Sequence, residues 1–214
     1  MAASSDTNTS SAALDAYQRG DYATARELWL PLAEAGDPEA QAWIGSLYAH
    51  GEGVDIDDAA AFSWYLRSAE GGNPFAQNNV GVMYALGRGT SKDAVLAVKW
   101  FMIAADNGDQ HAQFNLASCY ATGDGVDRDP ERAAYWYRRA AEAGHTASQA
   151  RLGYLYSTGQ GVPRDRVEAF VWLSLAARHG VGNALAALES VVREMSAEEK
   201  HAGAERLREF GLVA

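Results

Sequence analysis

The chain has 214 residues, a net charge of −10 at pH 7 and a hydrophobic fraction of 48%. This length suits one sizeable domain or an extended array, and the apolar content excludes disorder over the whole chain. The negative charge disfavours a nucleic-acid partner, the single cysteine excludes an intramolecular disulfide, and the short apolar runs predict no membrane insertion.

The first residues, MAASSDTNTSS, form a polar segment that predicts a disordered N-terminal tail over residues 1–11. The segment has neither the basic nor the apolar region of a signal peptide, so the sequence as written predicts a cytoplasmic protein. A periplasmic or secreted protein whose leader peptide has been removed would look the same, and this alternative stays open.

After residue 36 the chain repeats itself with a constant period of 36 residues. Several residue types recur on this lattice in independent series, which is typical of a tandem array. The series are Gly36, Gly72, Gly108, Gly144 and Gly180; Asp21, Asp57, Asp93, Asp129 and Asp165; Trp64, Trp100, Trp136 and Trp172; and Tyr48, Tyr84, Tyr120 and Tyr156. The resulting units are residues 37–72, 73–108, 109–144 and 145–180.

The recurring residues mark where helices begin and end. Asp129 precedes Pro130, an N-cap acceptor followed by a proline at the first helical position. Asp165 and Glu168 resemble a capping box. Glycines such as Gly144 fall where a helix ends and a left-handed residue is needed. Each unit is therefore predicted to hold two helices of about four turns joined by a GxGV loop.

The acidic loop GDGVDRD lacks the spacing of a calcium site. An EF-hand loop needs a glycine at its sixth position and a glutamate at its twelfth, and neither fits here. We interpret Asp129 as a helix cap, with Asp124 and Asp127 as solvent-facing loop residues. The periodic tryptophans could form an aromatic binding ladder, but their helical spacing favours core packing.

Residues 181–214 keep helical periodicity but lose the lattice. Glu189 and Met195 stand where the repeat would have glycine. Ser196 and Glu199 form a capping box that predicts a last helix. A repeat array needs end units whose outer faces meet water, so we interpret this segment as degenerate capping helices.

The pattern AQ..LG..Y..G.GV..D...A..WY..AAE.G resembles the Sel1-like repeat family, which is related to the tetratricopeptide repeat. One instance reads AQNNVGVMYALGRGTSKDAVLAVKWFMIAADNG from Ala76 to Gly108. The resemblance covers residues 37–180, and residues 12–36 resemble a shorter tetratricopeptide-like N-terminal unit. It implies an all-α fold, a right-handed α/α superhelical solenoid of about six helix pairs.

The resemblance also implies a function. Members of the family, many of them bacterial, act mostly as adaptors that hold other proteins, which implies a non-enzymatic scaffold for a protein or peptide partner. We expect such a scaffold to be a monomer. A cysteine-rich branch has been linked to β-lactam binding or hydrolysis, so a binder or hydrolase of peptidoglycan or β-lactam-type molecules is the alternative. This chain lacks the paired cysteines of that branch.

Signatures of catalysis are missing from the sequence. Neither SxxK nor GxSxG occurs, and there is no phosphate loop or dinucleotide motif. Cys119 takes the lattice position of Leu47, Met83 and Leu155, which favours a buried hydrophobic role. The five histidines do not cluster in sequence. We therefore predict no catalytic residue, no cofactor and no metal site.

Residues that differ between units are free to specify a partner. In the related tetratricopeptide fold the first helix of each pair lines the concave face, so we expect binding residues on the side of that helix opposite its core positions. Aromatic, amide and hydroxyl side chains there suit a peptide. The predicted partner-binding residues are Trp43, Ser46, Phe75, Asn78, Asn79, Val82, His111, Phe114, Asn115, Ser118, Arg151 and Tyr154.

Overall fold

The computed structural model describes residues 2–209, with side chains from Asn8 onwards. Within this range the regular structure consists of twelve α-helices without strands, which confirms the predicted all-α fold. The helices are α1 (Ala2–Gln18), α2 (Tyr22–Glu34), α3 (Pro38–His50), α4 (Asp58–Glu70), α5 (Pro74–Leu86), α6 (Ala94–Asp106), α7 (Gln110–Thr122), α8 (Pro130–Glu142), α9 (Thr146–Thr158), α10 (Arg166–Arg178), α11 (Ala184–Glu194) and α12 (Ala197–Glu209).

The helices form two compact units, one ending at Asp109 and one beginning at Gln110. In the first unit each of the helices α1 to α5 packs against the next helix in the chain. The same rule holds from α7 to α11 in the second unit, where α12 packs against α10. Such neighbour-to-neighbour contact is the packing of a helical repeat, in which each hairpin buries itself on the adjacent one.

The predicted helix boundaries are confirmed. The side chains of Asp37 and Asn73 accept hydrogen bonds from backbone N–H groups in the first turns of α3 and α5. Asp129 accepts from two such groups in α8. Gly36 and Gly144, which follow α2 and α8, have φ angles of 100° and 92°, in the left-handed region where glycine is favoured.

One of the two predicted capping boxes forms. Glu199 accepts from the backbone N–H of Ser196, and the Ser196 hydroxyl accepts from that of Glu199. The other predicted capping box, that of Asp165 and Glu168, forms only in part. Asp165 caps α10, but its own N–H donates to the carbonyl of Tyr156. Glu168 therefore binds elsewhere, accepting from the Trp172 indole and the Arg206 guanidinium.

The disordered tail predicted for residues 1–11 is corrected by the structure, in which α1 begins at Ala2. Met1 lies outside the described residues. No proline or glycine interrupts this segment, and extending an existing helix costs less than nucleating one. The helix is anchored by Ala13 and Ala16, which are fully buried in a cluster with Trp29.

In α3, α5 and α9 a glutamine near the start of the helix ties it to the preceding helix. The Nε2 atom of Gln41 donates to the carbonyl of Ala33 at 3.0 Å, and that of Gln77 donates to Ala69 at 3.1 Å. Both side chains are buried, so these bonds are protected from water. The AQ pair of the repeat is thus a structural joint between hairpins.

In α4, α6 and α8 the tryptophan is not the most buried aromatic residue, which corrects the core prediction for three of the four tryptophans. Trp64, Trp100 and Trp136 are only partly buried, and Trp172 alone of the four is buried. The residue after each tryptophan fills the core instead: Tyr65, Phe101, Tyr137 and Leu173, each at most 4% exposed.

The reason lies in the facing helix. The ring of Tyr65 lies against Gly45, where an added Cβ would be 2.9 Å from the ring, and the corresponding distance from Gly81 to the Phe101 ring is 2.6 Å. A position without a side chain thus receives the ring of the residue after the tryptophan.

Burial of Tyr65 predicts a loss of stability at alkaline pH. Desolvation raises the pKa of its hydroxyl to about 12, against a partly opposing hydrogen bond from Ser46. A raised folded-state pKa stabilises the protein below about pH 10 and loses that contribution as the pH rises towards 12. We expect Tyr65→Phe to remove about 1.4 kcal/mol of this alkaline sensitivity between pH 8 and pH 11, measured by urea unfolding. Equal pH slopes in wild type and variant would contradict the assignment.

Candidate binding grooves

In the first unit the faces of α3 and α5 form a small apolar groove. We call it the Trp43 groove, and its volume is about 250 Å³. Its lining residues are Glu39, Ala42, Trp43, Asn73 and Phe75. The structure thus brings together two of the predicted binding residues, Trp43 and Phe75, from consecutive first helices.

Both aromatic walls of the Trp43 groove are held by packing. The Trp43 ring stacks on Trp29 with centroids 4.7 Å apart and an interplanar angle of 3°, and Tyr17 contacts it from the side at 5.0 Å. Phe75 meets Tyr65 edge-on at 6.1 Å while 49% of its surface stays exposed. An exposed aromatic ring with a buried support is a rigid apolar anchor.

In the second unit a groove of about 310 Å³ lies between α9 and α11. We call it the Tyr154 groove. Its lining residues are Phe114, Ala147, Ala150, Arg151, Tyr154, Leu173, Val181, Asn183, Ala184 and Ala187. Three predicted binding residues, Phe114, Arg151 and Tyr154, therefore share one depression, whose floor includes the buried Leu173.

The Tyr154 groove continues along α9. Tyr154 and Ala187 also line an adjoining depression of about 290 Å³ that extends to Arg164, Arg166 and Glu194. Arg164 is oriented by Glu194 at 2.7 Å and by a hydrogen bond from its Nε to the carbonyl of Ser157. The two depressions adjoin at Tyr154 and Ala187; the first is mostly apolar, and the second has charged residues in its lining.

Two predicted binding serines serve as internal braces. Ser118 forms a 2.9 Å hydrogen bond with the Tyr137 hydroxyl. Two repeats earlier in the chain, Ser46 hydrogen-bonds the hydroxyl of Tyr65 in the same way. Ser46 is only 7% exposed. Ser46 is thus not on the accessible surface as expected, because the tyrosine of the second helix reaches across to it.

The amide side chains on this face also have partners within the chain. Asn79 donates to the carbonyl of Phe75 on its own helix at 2.9 Å, and Asn78 and Asn115 have intramolecular interactions as well. Val82 is partly buried, and the exposed His111 ring contacts His145 at 5.1 Å. None of these five residues lines the Trp43 or the Tyr154 groove.

Sequence reasoning missed the part of the Tyr154 groove that comes from the chain end. Val181 and Asn183 precede α11, and Ala187 lies on it. These residues fall in the segment where the repeat lattice is lost, for which the sequence predicts only capping helices. The run of small residues in NALAA was the available signal, since small side chains on α11 leave space beside α9.

The single cysteine, Cys119, has a weakly acidic thiol. Burial, with a smaller contribution from Asp124, raises the pKa of the Cys119 thiol to about 11, so the thiol stays protonated at neutral pH. Asp124 and Asp127 are exposed loop residues as predicted. Between residues 2 and 209 no group of three or more histidine, cysteine or acidic side chains is placed to hold a metal ion.

The sequence model of the Sel1 repeat matches residues 38–73, 74–109, 110–145 and 146–181, which together make up more than half of the chain. The chain belongs to the Sel1 repeat family. Each matched segment begins one residue after the corresponding unit defined by the glycine lattice. The Sel1 repeat thus corresponds to the helix pairs α3–α4, α5–α6, α7–α8 and α9–α10.

Two solved structures of Sel1 repeat proteins are similar to this one. A protective antigen present in uropathogenic Escherichia coli strains, which displays an SLR fold, is 39% identical with a TM-score of 0.74. That match covers 77% of this chain but 35% of the antigen, so this chain spans about a third of the antigen's length. A Sel1 repeat protein from Oxalobacter formigenes is 34% identical with a TM-score of 0.77, and the match covers 84% of this chain and 74% of that one.

No curated protein sequence matches the chain. Sel1 repeats generally serve as protein-interaction scaffolds, and their fold is generally non-catalytic. Within residues 2–209, none of the helices of this Sel1 repeat protein has both the length and the apolar character needed to cross a bilayer.

Proposed function

We propose that this Sel1 repeat protein is a non-enzymatic scaffold that holds a peptide segment of a partner protein against its first helices. The observation that carries the proposal is the pair of grooves walled by exposed aromatic rings, Phe75 in the first and Tyr154 in the second. These side chains are 49% and 47% exposed. Large aromatic side chains beside grooves are the residues that most often dominate the binding energy of protein interfaces.

The size and lining of the grooves suit the individual side chains of an extended peptide. Volumes of about 250 and 310 Å³ lie at or below the lower end of ligand pockets, so each groove accommodates a few side-chain atoms at a time. An extended peptide can place alternate side chains in such depressions. The side chain of Asn183 caps no helix, so its amide can bond a peptide backbone at the edge of the Tyr154 groove.

The state of the single cysteine and the missing serine signatures support a role without catalysis. The Cys119 thiol is protonated at neutral pH and partly buried, and the serine signatures of hydrolases are missing from the sequence. The alternative, a binder or hydrolase of peptidoglycan or β-lactam-type molecules, depends on the cysteine-rich relatives, and no groove residue favours it. We propose that the scaffold acts as a monomer with an unidentified protein or peptide partner.

The proposal is tested by selecting peptides from a displayed random library and measuring their affinity by fluorescence polarisation. We expect Phe75→Ala and Tyr154→Ala to weaken the peptides that occupy their respective grooves by about 10- to 30-fold, because each removes an aromatic anchor. Both side chains are half exposed, so we expect the fold to tolerate the changes, which thermal unfolding checks.

Tyr135→Ala is the matched control. Tyr135 lies on α8, is 54% exposed and lines neither groove, so its loss should leave peptide affinity unchanged. Failure to select any peptide whose affinity depends on Phe75 or Tyr154 would contradict the proposed function.

A further inference from the structure

The Tyr154 groove is basic in a strongly acidic protein. With its continuation along α9 it is lined by three arginines, Arg151, Arg164 and Arg166, and by one acidic residue, Glu194. The whole chain carries a net charge of −10. A local excess of positive charge against this background attracts anions and repels cations at the groove.

The three arginines differ in the ion pairs that they already form with acidic residues of the chain. Arg164 and Arg166 share Glu194, at 2.7 and 3.6 Å, and Arg166 also pairs with Glu199 at 3.1 Å. Arg151 lies at the apolar part of the groove, is exposed, and makes no ion pair with any described residue. Arg151 is therefore the cation available to a ligand.

The N-terminus of α11 adds to the positive potential. Asn183 and Ala184 line the groove, and Asn183 makes no side-chain hydrogen bond to the first turn of α11. The uncompensated end of a helix carries a partial positive charge.

The Trp43 groove differs in sign. Its only formally charged lining residue is Glu39, and the neighbouring depression that shares Trp43 adds Asp37. Each groove has its own aromatic walls, but the charges of the two grooves are opposite. We therefore expect them to bind different peptides.

We infer that the Tyr154 groove binds an acidic peptide segment, with an apolar side chain over Leu173 and a neighbouring carboxylate at Arg151. The inference deepens the proposed function and rests on it. An arginine–carboxylate contact beside an apolar floor gives both specificity and orientation, because the carboxylate must lie next to the side chain that fills the depression.

The test uses two displayed libraries of nonapeptides with equal apolar content, one with Asp and Glu as its only charged residues and one with Lys and Arg. We expect Tyr154-dependent peptides to come from the acidic library. A selected peptide should bind about 10-fold more tightly at low salt than its form with Asn and Gln in place of Asp and Glu. Arg151→Gln should abolish that difference, whereas Arg178→Gln, at an exposed arginine outside the groove, should keep it.

The outcomes separate this inference from the proposed function. Tyr154-dependent binding of the basic library, or equal affinity for the acidic and amide peptides, would overturn the inference and leave the scaffold proposal intact. Peptide affinity that is unchanged by both Tyr154→Ala and Phe75→Ala would overturn the scaffold proposal itself. A dimer in sedimentation that Tyr154→Ala dissociates would overturn the inference, since a second copy would then occupy the groove.

Discussion

Replacing Gly161 with alanine is expected to destabilise the second unit by about 3–5 kcal/mol. A Cβ at this position would lie 2.0 Å from the carbonyl oxygen of Pro130, a backbone atom that cannot move aside without disturbing the start of α8. The φ angle of 70° adds the strain of a left-handed backbone. The free energy of unfolding in urea, followed by circular dichroism, measures the effect.

Gly144→Ala is the matched control for this clash. Gly144 has a φ angle of 92°, but no atom lies within 4 Å of the position of its Cβ. We expect it to cost about 1–2 kcal/mol, from backbone strain alone. If Gly161→Ala cost no more than Gly144→Ala, the close approach of the loop to the preceding hairpin would not contribute to stability. The same approach recurs at Gly89, whose Cβ would lie 2.0 Å from the carbonyl oxygen of Asp58.

Tyr137→Ala is expected to cost about 3–5 kcal/mol, and Trp136→Ala about 1–2 kcal/mol. Tyr137 is 4% exposed, packs against Phe114 with centroids 5.6 Å apart, and bonds Ser118. Trp136 is partly exposed, and its ring is covered by Arg139 at 5.3 Å. Removing Tyr137 leaves a cavity and takes one of its two hydrogen bonds from the Ser118 hydroxyl. Removing Trp136 takes away a ring that is already partly in contact with water.

Urea unfolding of the two variants under identical conditions measures the difference. Tyr137→Phe serves as a control that keeps the ring and loses only the hydrogen bond to Ser118, for an expected cost of about 1 kcal/mol. A Trp136→Ala variant as unstable as Tyr137→Ala would mean that the tryptophan series forms the core after all.

The helix boundaries could be predicted because their causes are local. The side chain of Asp129 caps a helix within three residues, and Gly144 ends one through its own backbone conformation. The 36-residue period then places every hairpin by repetition. The prediction of a disordered tail over residues 1–11 was wrong for a related reason. Amino-acid composition alone does not show that a neighbouring helix can extend into such a segment.

The candidate site was predictable only in part. Phe75, Phe114, Arg151 and Tyr154 were placed on the accessible face by helical phase, and these side chains do line the grooves. Ser46 satisfied the same phase, yet it is buried, because its burial depends on Tyr65 from the next helix.

The sequence by itself determined the all-α repeat, its unit length and the caps and left-handed glycines that bound its helices, since each depends on contacts within a few residues. Tertiary structure decided which of two adjacent aromatic residues enters the core, which polar side chains are internal braces, and where the grooves lie. Those outcomes depend on side chains that meet across neighbouring helices. The clearest case is the Tyr154 groove, which exists because the small residues of α11 leave space beside α9.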